Sequence, residues 1–301
     1  MNFVALLLGL GVERLLTHLF HLREFRWLDP LFDAVFSRTE KAATWRCVVT
    51  VISLTVLAVL PVALVSVILA GTLFQIPYFL LAVVVLLFSL GPRDLRIELD
   101  DYCAAVIDDR DDDVQRVARE LIENDPPSDT EMHISACRRA VFVQANNRIF
   151  AVVFWFLLLG PTGAWLFRVL DLMRRRLAYQ YSRNESGIAG SSYVRVVRSL
   201  HGLFAWLPAR LLMIGYALAG SYEGAVAAWR AYDPDPKKRF FETTNDVLDH
   251  IGNGASEDST PTDDVPPAAI GVRDAMSLVH RTLWLIWCPA IAVLTLSDWL
   301  T

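Results

Sequence analysis

Arg168, Asp171 and Arg175 stand at positions i, i+3 and i+7, roughly one face of a helix. The carboxylate can pair with either guanidinium, and the forked donors of an arginine match two oxygens of a phosphate or carboxylate. A lone charge, Arg210, sits in the middle of an apolar stretch, where ionisable residues mark a functional path or a buried partner. Asn147 and Arg148 lead into the first of these segments, and the pair Glu13-Arg14 closes an apolar N-terminal run. Together they predict a site for an anionic small molecule, with Arg14, Arg148, Arg168 and Arg210 as donors. Asp171, Asn147 and Glu13 would line the same cavity, Glu13 orienting an arginine. The other reading of the arginines is an interfacial salt-bridge ladder that meets lipid headgroups.

Other chemistries are poorly served. Asp109, Asp111, Asp113 and Glu120 fall at positions 1, 3, 5 and 12 of a calcium loop, but position 6 is Val114 where the turn needs glycine. The aspartates work better at the N-terminus of an amphipathic helix over 114–122. His18 and His21 have no acid at zinc spacing, and Ser199-Leu200-His201 has neither an acid partner nor a nucleophile elbow. The segment 187–198 lacks the Lys-Ser/Thr of a phosphate-binding loop. Cys47, Cys103, Cys137 and Cys288 are isolated. No catalytic residue, metal or cofactor is predicted.

The elements that position these residues belong to a membrane protein. The 301-residue chain is 54% hydrophobic, with mean hydropathy +0.38, too apolar for an ordinary soluble domain. Cys47 to Pro92 holds no Asp, Glu, Lys or Arg, enough for two crossings. A net charge of -5 gives no reason to expect nucleic acid. No basic residue precedes the run at Met1–Phe20 and no cleavage site follows it, so it reads as a retained membrane-associated helix.

The expected fold is all-α, a polytopic helical bundle in the lipid bilayer. It divides into an N-terminal helix and flank (1–46), a transmembrane hairpin (47–92) and a cytoplasmic acidic helical segment (93–148). A broken-helix core (149–222), a second cytoplasmic segment with a flexible loop from Gly252 to Ala269 (223–281) and a final crossing (282–301) complete it. Lysine and arginine number six in 1–46 and eight in 93–148, which puts both flanks of the hairpin in the cytoplasm.

One stretch resists that pattern. "FWFLLLGPTGAWLFRVLDLMRRR" (154–176) leads into residues 168–198, which hold seven arginines against Asp171 and Glu185. A plain crossing would carry this basic block outside, against the positive-inside rule. Gly160, Pro161 and Gly163 permit a tight turn, so the segment is expected to fold back and return its arginines to the cytoplasm. Residues 200–220, with Pro208 in the middle, are expected to do the same. The alternative is a pair of Pro-kinked spanning helices.

The N-terminal "ERLL", the hairpin, "AAVIDDRDDDVQRVAREL", "NNRIFAVVFWFLLLGPTGAWLFR" and "WLPARLLMIGYALAG" resemble the AmpE family along nearly the whole chain. The resemblance implies a multi-pass bacterial inner-membrane protein, encoded with a regulatory amidase of cell-wall recycling and acting in β-lactamase induction. The same landmarks are more distantly similar to the adenosylcobinamide-phosphate synthases of cobalamin biosynthesis, whose two arginines match Arg168 and Arg210. Where those ligases carry Glu-Asn-x-x-Asp, this chain has Val143, Gln144 and Asn147; where they carry Asn-Thr-x-Asp, it has Val169, Leu170, Asp171 and Leu172. Carboxylates are what would hold a divalent metal on a nucleotide phosphate. This second resemblance therefore implies the fold, with a divergent membrane ligase or transferase as the alternative function, and the missing acids lean against an enzyme.

Overall fold

The computed structural model describes residues 28–38, 44–70, 76–90, 95–182, 192–233, 243–256 and 266–291. Every regular element among them is helical, as the all-α reading requires. Three helical runs are long and apolar enough to cross a bilayer: Thr44–Ala70, Thr130–Gln180 and Ser192–Ala219. The chain forms two compact units and passes between them at 92/93, 147/148 and 204/205.

The first unit takes residues 1–92 and 148–204. Its elements are α1 (Asp29–Arg38), α2 (Thr44–Ala70), α3 (Ile76–Ser89), α7 (Ala151–Ser182) and the N-terminal part of α8 (Ser192–Ala219). With 27 residues α2 is about 40 Å long, more than a bilayer's hydrocarbon core. Val49, Ile52, Val56, Leu60, Leu64 and Val67 recur at helical spacing and are exposed, a stripe that only lipid would cover comfortably. Cys47, Val51 and Leu54 on the opposite face meet Val169, Met173 and Leu177 of α7 in one core.

The break in α7 is at Gly160, whose φ of 66° and ψ of -154° lie in a region almost reserved for glycine. Pro161 opens the second half, where its missing N–H is an orphan in any case. A Cβ built on Gly163 would collide with the carbonyl of Trp155. Those residues are eight apart, about 12 Å in a straight helix. The chain therefore turns sharply at Gly160, bringing Gly163 against the end of the preceding half. The break expected at Gly160-Pro161 is present.

The second proline-interrupted stretch differs from expectation. α8 runs as one helix through Pro208, with no break in its dihedral angles. Pro208 cannot donate to Phe204, four residues earlier. The indole Nε1–H of Trp155 donates to that carbonyl instead, at 3.0 Å, with its ring 5.1 Å from that of Phe204. The freed acceptor has a partner, so nothing forces the helix to reverse. Trp155→Phe should accordingly cost about 1 kcal/mol in thermal unfolding, the usual scale for a buried bond between membrane helices. Pro208→Ala restores the N–H and should erase most of that cost in the double variant.

The second unit takes residues 93–147 and 205–301. α4 (Leu95–Ile107) and α5 (Asp111–Ile122) are joined by a turn at 108–110, and α6 (Thr130–Ala145) follows. α9 (Tyr222–Ala231), α10 (Thr244–Ala255) and α11 (Pro267–Arg281) complete it, with a π-helical turn at Thr282–Trp287. α5 buries Val117, Ala118 and Leu121 and carries Asp111, Asp112 and Asp113 in its first turn. The expected flexible loop begins later than its composition suggests, because "IGNGA" (251–255) is the last turn of α10. A Cβ on Gly252 would strike the Phe142 ring, and one on Gly254 the backbone of Gly224 on α9. These glycines serve close packing, not mobility. Residues 234–242, 257–265 and 292–301 lie outside the described residues, and with them parts of the expected turn, loop and final crossing.

Candidate functional site

The half of α7 after Gly160 presents two faces. Val169, Met173 and Leu177, four residues apart, bury against α2, and Tyr193, Val196 and Val197 of α8 join them. Around the helix lies Asp171, fully buried, with three arginines of its own helix gathered on it. Arg168 Nη1 donates to Oδ2 at 3.2 Å, and Arg175 Nε to the same oxygen at 2.8 Å. Arg174 gives Nη2 to Oδ1 at 2.7 Å and Nε to it at 3.2 Å. His201 of α8 brings Nε2 to 3.6 Å from Oδ1, its ring 5.2 Å from that of Phe167.

A second ion pair extends the cluster. Arg176 meets Asp33 of α1 fork to fork, Nε to Oδ1 at 2.9 Å and Nη2 to Oδ2 at 2.6 Å. Asp29 lies 3.5 Å from its Nη1, and Gln180 Nε2 donates to Asp33 at 2.6 Å.

Burial grades the cluster. The side chain of Arg168 is 1% exposed, whereas Arg174 and Arg175 keep 18% and 21% of their surface. Taking these charges out of water costs several kcal/mol per ion, offset only by close geometry. Asp171 supplies that geometry by fixing three guanidiniums in one place. An array of donors held in this way can meet the oxygens of a phosphate or carboxylate without first being ordered.

The other residues singled out from the sequence have their own surroundings. Arg148 is buried at the start of the first unit's second stretch. Asn147 closes the second unit's first stretch, buried, with Oδ1 lacking a hydrogen-bond partner among the described residues. Arg210, also in the second unit, lies 5.7 Å from the Trp206 ring and 5.6 Å from the Trp229 ring, with Nη1 3.7 Å from Met213 Sδ. It is a cation held by aromatic faces. Glu13 and Arg14 lie outside the described residues.

Sequence reasoning missed Arg174 and His201 on Asp171, and the whole extension formed by Arg176, Asp29, Asp33 and Gln180. Arg174 follows Asp171 by three residues, a spacing that could have been read. Asp33 and His201 lie on other helices, and nothing local announces them. The expectation that His201 lacks an acid is corrected: the fold brings it to Asp171, thirty residues earlier in the chain.

Comparison with known proteins gives this geometry a family. Two proteins named "Cobalamin biosynthesis protein CobD" are similar to parts of the chain. That of Stutzerimonas stutzeri is 29% identical over 181 residues, 59% of this chain and 56% of the relative. That of Chromobacterium violaceum is 26% identical over 159 residues, 48% of each. The chain thus spans about half the length of these two relatives. "Protein AmpE" of Shigella flexneri is 27% identical over 293 residues, 93% of this chain and 95% of that protein. No solved structure matches. The family described as "Regulatory signalling modulator protein AmpE" matches residues 1–296. Since that match takes in nearly every residue, this membrane protein belongs to the AmpE family.

Proposed function

We propose that the chain is an inner-membrane signalling modulator whose arginine cluster takes an anionic ligand or partner group on the cytoplasmic side. The observation that carries this reading is the carboxylate-centred cluster, with Arg168, Arg174 and Arg175 on Asp171 just after a break in the helix. The sharp turn at Gly160 supports a cytoplasmic position for the arginines, because a segment that folds back there would keep its basic end on the side that the positive-inside rule favours. The family description supports regulation rather than transport. The setting proposed for that regulation is β-lactamase induction and cell-wall stress, with the cell-wall-recycling amidase pathway as partner.

Two measurements test this. A double variant, Arg174→Gln with Arg175→Gln, keeps a polar group near Asp171 and alters the more exposed guanidiniums. In a reporter strain it should reduce β-lactamase induction about tenfold, taking the loss of one charge-assisted bond at about 1.4 kcal/mol. Membrane insertion and protein level should stay unchanged, and wild-type induction would overturn the reading. For topology, a single cysteine at Ser191, with the four native cysteines replaced, should resist an impermeant thiol reagent added to intact cells. Ready labelling from outside places the arginines on the far side and defeats the cytoplasmic site.

A further inference from the structure

One guanidinium of the second unit is held differently from its neighbours. Arg110, Arg116, Arg119 and Arg139 each donate to an aspartate. Arg210 has no carboxylate partner among the described residues. The Trp206 and Trp229 rings lie 5.7 and 5.6 Å from it, and its Nη1 reaches Met213 Sδ at 3.7 Å. Two rings and a thioether hold the charge without neutralising it, and a guanidinium carries five N–H donors. Most of that donor capacity is unspent.

The surroundings of Arg210 are those of a lipid-facing surface. Leu207, Leu211, Ile214 and Leu218 recur at helical spacing on α8 and are all exposed. Arg210 flanks this stripe, three residues after Leu207 and four before Ile214, and is half-buried. On α9, Tyr222 and Trp229 are exposed too. Tryptophan and tyrosine favour the level of the lipid headgroups, where one edge meets polar groups and the ring meets hydrocarbon. A cation without a counter-ion beside an apolar surface is costly. An anion attached to hydrocarbon removes that cost and covers the stripe as well.

We propose that Arg210, with Trp206 and Trp229 beside it, holds the phosphate of an anionic phospholipid whose acyl chains lie along Leu207, Leu211 and Ile214. A zwitterionic lipid brings the same phosphate with an ammonium group, which the guanidinium repels. A free anion would leave the stripe uncovered. The arginines on Asp171 are already shared with a carboxylate, whereas Arg210 takes its counter-charge from the bilayer.

The test is native mass spectrometry of the full chain in neutral detergent, titrated with dioleoyl phosphatidylglycerol or with dioleoyl phosphatidylcholine. The first phosphatidylglycerol should bind about tenfold more tightly than phosphatidylcholine, the scale of one charge-assisted hydrogen bond. Arg210→Gln should abolish that preference, and Arg210→Lys should keep part of it, because an ammonium lacks the fork. Trp229→Ala, at an exposed position, should weaken phosphatidylglycerol binding several-fold with the unfolding midpoint unchanged, and it carries the test if Arg210→Gln fails to fold. Arg116→Gln, on the exposed face of α5, should change nothing. Equal affinity for the two lipids overturns the proposal, as does a preference that survives both Arg210→Gln and Trp229→Ala. A loss of equal size in Arg116→Gln also overturns it, by revealing diffuse charge attraction. Release of the bound lipid by equimolar inorganic phosphate would show a site for a free anion instead. A dimer that Arg210→Gln dissolves, without any lipid preference, would show that a second copy of the chain covers this face.

Discussion

Asp171→Ala should destabilise the protein by about 3–5 kcal/mol, the range for removing one partner from a buried charge pair. The carboxylate is fully buried and accepts from Arg168, Arg174 and Arg175, with His201 beside it. Removing it leaves cationic groups facing one another in a site that water reaches poorly. Asp171→Asn should cost less, because an amide oxygen still accepts while the charge is gone. The informative variant is Asp171→Leu with Arg168→Met, which exchanges the most buried pair for apolar groups. Such exchanges are often neutral or stabilising, so this protein should recover most of its unfolding midpoint. Its induction phenotype should stay lost if the cluster binds an anion. Recovery of both stability and signalling would reduce the cluster to scaffolding. A change below about 0.5 kcal/mol in Asp171→Ala would instead place the carboxylate in a solvated surface ladder.

The second large effect is expected at the sharp turn of α7. Gly163→Ala sets a methyl group against the backbone carbonyl of Trp155, an atom that cannot swing aside as a flexible side chain can. The two halves of the helix must then separate, at a cost of about 1–3 kcal/mol or more. Gly160→Ala should cost about 1–3 kcal/mol through its dihedral angles alone, and its Cβ would lie 3.1 Å from the Tyr78 hydroxyl. Pro161→Ala is the contrast. Proline at the first helical position removes an N–H that has no partner in any case, so this change should cost less than about 1 kcal/mol. Thermal unfolding in detergent ranks the three. If Pro161→Ala equals or exceeds Gly163→Ala, the proline and not the glycine pair makes the turn.

Both predictions concern features that the sequence reveals unevenly. The membrane class, the all-helical fold and the break at Gly160 were all legible. Apolar length, absence of charge and the phi freedom of glycine act locally, and the chain states them directly. The Arg168-Asp171-Arg175 spacing was legible for the same reason, since residues three and four apart on a helix are neighbours whatever the fold.

What the sequence could not decide was which distant groups would meet. Pro208 looks as disruptive as Pro161, yet its helix continues because Trp155, fifty-three residues earlier, supplies a donor to Phe204. Gly252 and Gly254 have loop composition, but Phe142 and Gly224 press so closely on them that only glycine fits, and the segment stays helical. His201 looked isolated until α8 laid it beside Asp171. Arg210 was read as a donor in the same cavity as Arg168, and its place beside Trp206 and Trp229 appeared only with side-chain positions. Backbone preference and hydrophobic pattern belong to single residues and their near neighbours, so they are written in the chain. Satisfaction of a buried carbonyl, carboxylate or imidazole depends on which other helix arrives, and only tertiary packing settles that.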